Sequence, residues 1–233
     1  MIRYNLTNNV ARITLDTPET GNKFTYQLML DFIAALRRAK NSGATVLVLD
    51  ATGEDFSLGR DHAEKVQNVS RRDNLKLIIE ANGLLRSFPG VTVALVHGRC
   101  MAFASGLAVQ ADIAIGGDDA VLGFNEIRYG LAPLVVLTYL PEFVGSKIAK
   151  ELIYTGRDVT ADEAVRLGML NRRVSSETLA QEGERIIAEL ATYPPGAIRL
   201  IHSFTEELPN ITDGDPALVG IERLVAWIEA GKP

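Results

Sequence analysis

Apolar and polar positions change their period several times along the chain. Over residues 10–16 they alternate, as a half-buried strand requires, and the TPETGN segment at 17–22 is turn chemistry. Over 25–40 the apolar residues Leu28, Phe32, Ile33 and Leu36 recur at helical spacing behind Thr25, a cap candidate. Residues 45–50 form a continuous apolar run, the mark of a strand buried on both faces. The pattern then predicts a helix over 73–86 and a strand over 91–96. A small-residue stretch from Gly98 turns helical and ends in the β-like DIAIG at 112–116. A short strand over 120–124 and a polar-interrupted loop over 125–132 come next. Helices are predicted over 135–143, 147–154, 161–167, 176–191, 195–206 and 216–230. Strand and helix alternate at a spacing that argues for an α/β fold with largely parallel pairing. Residues 1–190 read as the core and 191–233 as a helical appendage.

Composition narrows the classes. At 233 residues, 47% hydrophobic and 23% charged, the chain suits one domain with a sizeable core. The net charge is −5 and the basic residues are scattered, so no nucleic-acid stripe is expected. A single cysteine, Cys100, excludes an internal disulfide framework and a cysteine zinc site. His62, His97 and His202 lack metal-ligand spacing, so no metal is expected. No apolar run reaches membrane-spanning length and the N-terminus has no signal-like apolar region, which makes a cytoplasmic location the expectation.

Four ordered segments carry candidate chemistry. Gly21-Asn22-Lys23-Phe24 is an asparagine turn ahead of the first long helix. Asp55-Phe56-Ser57-Leu58-Gly59-Arg60-Asp61 has the form F-[SC]-x-G-x-D. The run from Val96 to Ile113 is close to the pattern G-x-A-x-G-G-G, a helix and C-D-[IL], with Ala102-Phe103-Ala104 for the three glycines and Ala111 before Asp112. The segment from Phe124 to Pro133 is close to P-E-V-x-x-G-L-x-P, with Asn125 and Ile127 at the first and third positions. Downstream, residues 152–164 and 168–171 continue the match. The set covers nearly the whole chain and resembles the enoyl-CoA hydratase/isomerase (crotonase) superfamily.

The resemblance implies a crotonase-like spiral of ββα turns with a helical C-terminal region, a homotrimer or hexamer, and an acyl-CoA thioester as substrate, CoA entering as part of that substrate and no separate cofactor. The shared chemistry is an enolate held at the thioester oxygen by two backbone amides, each donor contributing about 3–4 kcal/mol. Carried over, the donors are the amides of Leu58 and Phe103, with the helix starting near Ala104 aimed at the same oxygen. The family's three glycines are Ala102-Phe103-Ala104 here; the phenyl ring is expected to narrow the acyl pocket, and Phe103 to be strained if its site needs positive φ. Of the two glutamates that hydratases of the family place around one water, one position holds Gly106 and the other Glu126. One carboxylate suffices to move a proton between carbons, so isomerase-type shuttling by Glu126 is expected ahead of hydration, decarboxylation or C–C bond formation. Burial among Phe124, Ile127, Tyr129 and Leu131 would raise its pKa. A non-catalytic acyl-CoA-binding or scaffold homologue is the other class.

Binding candidates implied by the resemblance are Lys23, Ser57, Arg60, Asp61, His62 and Gly106. Arg60 is read either as a fork for a CoA phosphate or as a partner of Asp61, and Lys23 as a further phosphate contact. His62 reaches the acyl region or lies on the surface. Ser105 between small residues reads as packing rather than a nucleophile, His97 as structural, and Cys100 as a small buried hydrophobe. After residue 230 the family's usual D-x-x-E-G segment and last helix are missing, which leads to the expectation of a shortened cover over CoA.

Overall fold

The computed structural model describes residues 1–232. The chain forms, in order, β1 (Ile2–Thr7), β2 (Val10–Leu15), α1 (Tyr26–Lys40), β3 (Val46–Ala51), α2 (Arg71–Arg86), β4 (Val91–Val96), β5 (Arg99–Met101), α3 (Phe103–Gln110), β6 (Ile113–Gly117), β7 (Val121–Gly123), α4 (Leu140–Val144), α5 (Ser146–Thr155), β8 (Asp158–Thr160), α6 (Ala161–Leu167), β9 (Arg172–Val174), α7 (Leu179–Leu190), α8 (Pro195–Glu207) and α9 (Pro216–Glu229). Among the described residues the large sheet runs β1-β2-β3-β4-β6-β9, antiparallel at β1/β2 and parallel beyond; β5-β7-β8 form a small sheet. Successive turns send one strand to the large sheet and a second segment toward the small one before a helix, the expected spiral of ββα turns.

The apolar strands do what their patterns demand. On β3 and β4, Leu47, Leu49, Ala94 and Val96 face a core shared with Phe32, Leu36, Leu85 and Leu107 of α1, α2 and α3. Val46, Val48, Val93 and Leu95 face Leu179, Ile186 and Ile187 of α7. Gly183 allows α7 this close, since a Cβ there would lie 2.6 Å from Leu95 Cδ1. Several motif residues turn out to be ties between strands. Asp112 Oδ2 accepts from the Thr92 amide at 2.7 Å and its hydroxyl at 2.6 Å. Asn171 Oδ1 accepts from the Ala114 amide at 2.6 Å, joining β6 to the chain entering β9. Arg157 bridges Glu151 of α5 (2.7 Å) and Glu163 of α6 (2.8 Å).

Three expectations are corrected. The helix read over 135–143 breaks into a 3-10 turn, Val136–Thr138, and α4, because Pro141 fits only the first turn of a helix; Tyr139 lies at the break. The loop read over 125–132 contains a 3-10 turn, Asn125–Tyr129. The helix read from residue 176 starts with a 3-10 turn, Ser176–Thr178, before α7. The C-terminal helices pair with each other through Arg223–Glu207 (2.7 Å) and Gly220 against the Phe204 ring. They reach the body through buried Ile198 and through Arg199, which donates to the Gly43 carbonyl at 2.9 Å. No helix among the described residues is long and apolar enough to cross a membrane.

Candidate active site

The site starts from a buried asparagine. Asn22, at φ 52°, donates to the carbonyls of Thr52 (2.8 Å) and Asp55 (2.9 Å) and accepts from the Thr17 amide (2.8 Å). One side chain thereby fixes the turn after β2 to the loop after β3. Asp55, itself buried, accepts from Arg99 through Nε (2.8 Å), Nη2 (2.7 Å) and the amide (3.0 Å). The Arg99 guanidinium holds the Asp55 carboxyl below the usual carboxylate range, against a burial that acts the other way. The loop after β3 is thus bound to β5 on its other side.

That binding sets the register between the loop and β5. Ser57 bridges Cys100 in parallel, with the Ser57 amide on the Arg99 carbonyl (3.1 Å) and the Met101 amide on the Ser57 carbonyl (2.9 Å). Two residues further on, Gly59 meets Ala102: a Cβ on Gly59 would lie 2.9 Å from Ala102 Cβ and 2.8 Å from the Met101 carbonyl oxygen. One step beyond, the same register puts Arg60 next after Gly59 and Phe103 next after Ala102. The Leu58 amide, expected as the first donor, is not available, because it donates to the Gly21 carbonyl at 2.9 Å. Gly59, at φ 82°, then reverses the facing of the chain, and the Arg60 amide bonds no acceptor among the described residues. The free amide in this loop is therefore that of Arg60, two residues beyond the one the sequence suggested.

The second amide sits at the N-terminus of α3. Phe103 is its first residue, where an amide has no intrahelical partner. The positive φ falls on Ala102 (φ 53°, ψ −120°), not on Phe103, which has helical geometry. This is an unfavourable conformation for a residue with a Cβ, held where the chain enters α3. The Phe103 ring is buried and packs edge-on against Phe24, centroids 5.0 Å apart. It belongs to the core cluster between α1 and α3.

Glu126 is brought to the same end of α3 through β7. Gly123 accepts from the Ala102 amide at 2.7 Å and donates to Ser105 Oγ at 3.0 Å, and the Glu126 turn follows directly. Within that turn Glu126 alone is buried, at 9% exposure. Ile127, Tyr129 and Leu131, expected around it, are exposed instead, because a tight turn sends its successive side chains in different directions. Burial raises the Glu126 pKa, and its Oε2 accepts no hydrogen bond from the protein. Gly106 lies in the next turn of α3 with Tyr139 beyond it.

The binding candidates part company. Ser57 is fully buried and its hydroxyl is committed within the loop, donating to the Asn22 carbonyl (2.8 Å) and accepting from the Gly59 amide (3.1 Å), so it faces no ligand. The Arg60 side chain is also buried and donates to Asn74 of α2; it is no surface fork, and Asp61 acts on it only as a nearby charge. Asp61 caps the following turn by accepting from the Ala63 amide (3.0 Å). His62 is exposed, its pKa lowered by desolvation and by the Arg60 charge. Lys23 is exposed beside a groove of about 590 Å³ that Leu58, Glu54 and Arg99 also line. Ser105 donates to the Cys100 carbonyl, and His97 Nε2 lies 3.0 Å from the Gly53 carbonyl, both as structural ties. Sequence reasoning missed two groups, the Arg60 amide and Tyr139; the glycine at 59 was the one visible hint of the former.

Comparison with known proteins gives the family and the fold. The enoyl-CoA hydratase/isomerase family profile matches residues 5–210, and the chain belongs to that family, within the crotonase superfamily. A Thermus thermophilus protein named provisionally as an enoyl-CoA hydratase is 31% identical over 209 residues, 87% of this chain and 83% of the relative. A Mycobacterium tuberculosis protein named provisionally as enoyl-CoA hydratase EchA12 is 32% identical over 203 residues, 82% of this chain and 71% of the relative. In fold, the chain superposes on an enoyl-CoA hydratase from Mycobacterium smegmatis with a TM-score of 0.89 at 24% identity, covering 97% and 89% of the two chains. Human enoyl coenzyme A hydratase domain-containing protein 3 gives the same TM-score at 21% identity, covering 97% and 90%.

Proposed function

We propose that this chain processes an acyl-CoA thioester through an enolate, with the Arg60 and Phe103 amides holding the enolate oxygen and Glu126 carrying the proton. The observation that carries the reading is Glu126 itself, a buried carboxylate with an unpaired oxygen and a raised pKa on the turn that follows β7. A raised pKa suits a group that must take a proton from one carbon and return it. Gly106 offers no second carboxylate, which supports isomerase-type transfer between Cα and Cγ. Hydration is the second reading: the relatives are named as hydratases, and the Tyr139 hydroxyl supplies another polar group near Gly106. Lys23 and His62 remain the contacts assigned to CoA. The exposed apolar residues Leu218, Ile221, Leu224 and Ile228 of α9 support contact between copies in a trimer or hexamer. The reading places the enzyme in the cytoplasm.

The test is deuterium exchange at Cα and Cγ of a 3-enoyl-CoA in D2O, with wild type and Glu126→Gln side by side. Exchange with a shifted double bond, falling about 10²- to 10⁴-fold in the variant, is the expected result. Exchange without a shift sends the reading to hydration, decarboxylation or C–C bond formation. Thioester binding without exchange leaves a binding or scaffold role.

A further inference from the structure

Arg60 is 7% exposed and carries its charge into the protein without a counter-charge. Its Nη2 donates to the neutral side-chain oxygen of Asn74 on α2, and its Nη1 is buried with no partner. The carboxylates nearest in the chain are engaged elsewhere. Asp61 Oδ1 accepts from the Ala63 amide at 3.0 Å, and Glu64 Oε2 from the Tyr26 amide at the start of α1 at 2.6 Å. They act on Arg60 only as nearby charges, and desolvation outweighs them in lowering its pKa. On α2, Asp73 takes Ser70 and Lys76, and Glu80 takes Arg37. Arg12 shows the usual arrangement: less buried than Arg60, it pairs with both Asp50 (2.5 Å) and Glu184. An unpaired charge is costly to bury, and an apolar side chain of similar length would avoid the cost.

The backbone of the same residue ties this guanidinium to the site. The Phe24 amide donates to the Gly59 carbonyl at 2.8 Å and the Phe24 carbonyl accepts from the Asp61 amide at 3.0 Å. In that parallel bridge the amide of Arg60 itself faces away from Phe24 and stays free. The amide assigned to the thioester oxygen and the unpaired N–H are therefore one side chain apart. A short acyl chain whose carbonyl oxygen sits on that amide spans a comparable length. The CoA phosphates lie at the far end of the pantetheine arm, beyond the reach of one buried arginine. We infer that the Arg60 guanidinium is a specificity-determining group, receiving on Nη1 a carboxylate at the far end of a short acyl chain. The inference rests on the reading of the Arg60 amide as a contact of the thioester oxygen. A guanidinium N–H pairs best with a planar oxyanion, whereas a neutral tail would leave the charge unpaired. His62, the next side chain but one, has its pKa lowered by desolvation and by Arg60, so it brings no negative charge of its own.

The experiment is isothermal titration calorimetry of the whole protein with glutaryl-CoA, hexanoyl-CoA and CoA alone. The first ends in a carboxylate and the second in a methyl group at similar length. We expect wild type to bind glutaryl-CoA about 10- to 100-fold more tightly than hexanoyl-CoA. Arg60→Met keeps the backbone amide and removes the charge, and should abolish the preference. Arg60→Lys keeps the charge without the fork and should leave part of it. Equal binding of the two thioesters by wild type, or a preference that survives in Arg60→Met, would overturn the inference. CoA alone binding as tightly as glutaryl-CoA, and weakened by Arg60→Met, would move the guanidinium to a phosphate and overturn it too. If Arg60→Met fails to fold, the wild-type and Arg60→Lys preferences decide. Exchange of 3-enoyl-CoA without a preference for glutaryl-CoA sinks this inference alone. A preference without exchange keeps the Arg60 contact and discards the enolate, and no thioester binding at all discards both.

Discussion

The two halves of the site are built from different materials. The half proposed to hold the oxygen is backbone: the Arg60 and Phe103 amides, in loops set by Asn22, Asp55 and the Ser57–Cys100 register. The half proposed to move the proton is a side chain: Glu126, with an oxygen that the protein does not pair. The first half tolerates a change of residue type as long as the dihedrals survive, because a backbone amide is the same on Phe103 as on any other non-proline residue. The second half changes its chemistry with a single side chain. The loops that carry the amides are accordingly tied on both sides, whereas the Glu126 carboxylate is left short of a partner.

The sharpest way to break the backbone half is Gly59→Ala. The new Cβ would meet the Met101 carbonyl oxygen at 2.8 Å at a residue with φ of 82°, so both overpacking and a left-handed penalty apply. We expect a loss of about 3–4 kcal/mol in urea unfolding, and residual exchange activity at least about 100-fold lower in whatever remains folded, because the loop must move off β5. Asn22→Ala attacks the same half from behind. It removes three hydrogen bonds of a buried side chain and puts alanine at φ 52°, and should cost about 2–3 kcal/mol by the same measurement. A stability within about 0.5 kcal/mol of wild type would show that the loops are held without it.

These expectations also mark how far the sequence could be read. The long elements were legible because their apolar positions repeat often enough: 25–40 became α1, capped by Thr25, and 91–96 became β4. β5, β8 and β9 are three residues each, too short for any period, and β1 is an edge strand with Leu6 exposed, so its alternation carries little signal. At the site, Glu126 and Phe103 were legible through the ordered motifs. The free amide lies two residues beyond the one suggested because every residue carries the same amide; only the Leu58–Gly21 bond and the φ of Gly59 decide which one is free. Tyr139 was invisible because the sequence shows the missing side chain at 106 and not what folds into its space.

The mildest perturbation sharpens the side-chain half. Glu126→Gln removes a buried charge whose oxygen lacks a protein partner, so the variant should be the more stable protein at neutral pH, by about 1 kcal/mol. The direction in pH follows from the raised pKa. Burial lifts the Glu126 carboxyl in the folded chain above its ordinary value of 4.5, so folding favours the protonated form. The contribution of Glu126 to stability is therefore full below the unfolded carboxylate value and is lost as pH rises through the folded one. The advantage of glutamine should accordingly open across that window and close in acid, where the glutamate is neutral too. Urea unfolding of both proteins from acid to neutral pH measures it. A gap that stays constant across the series would mean that Glu126 titrates normally in the fold and is held, like the amides, by partners of its own.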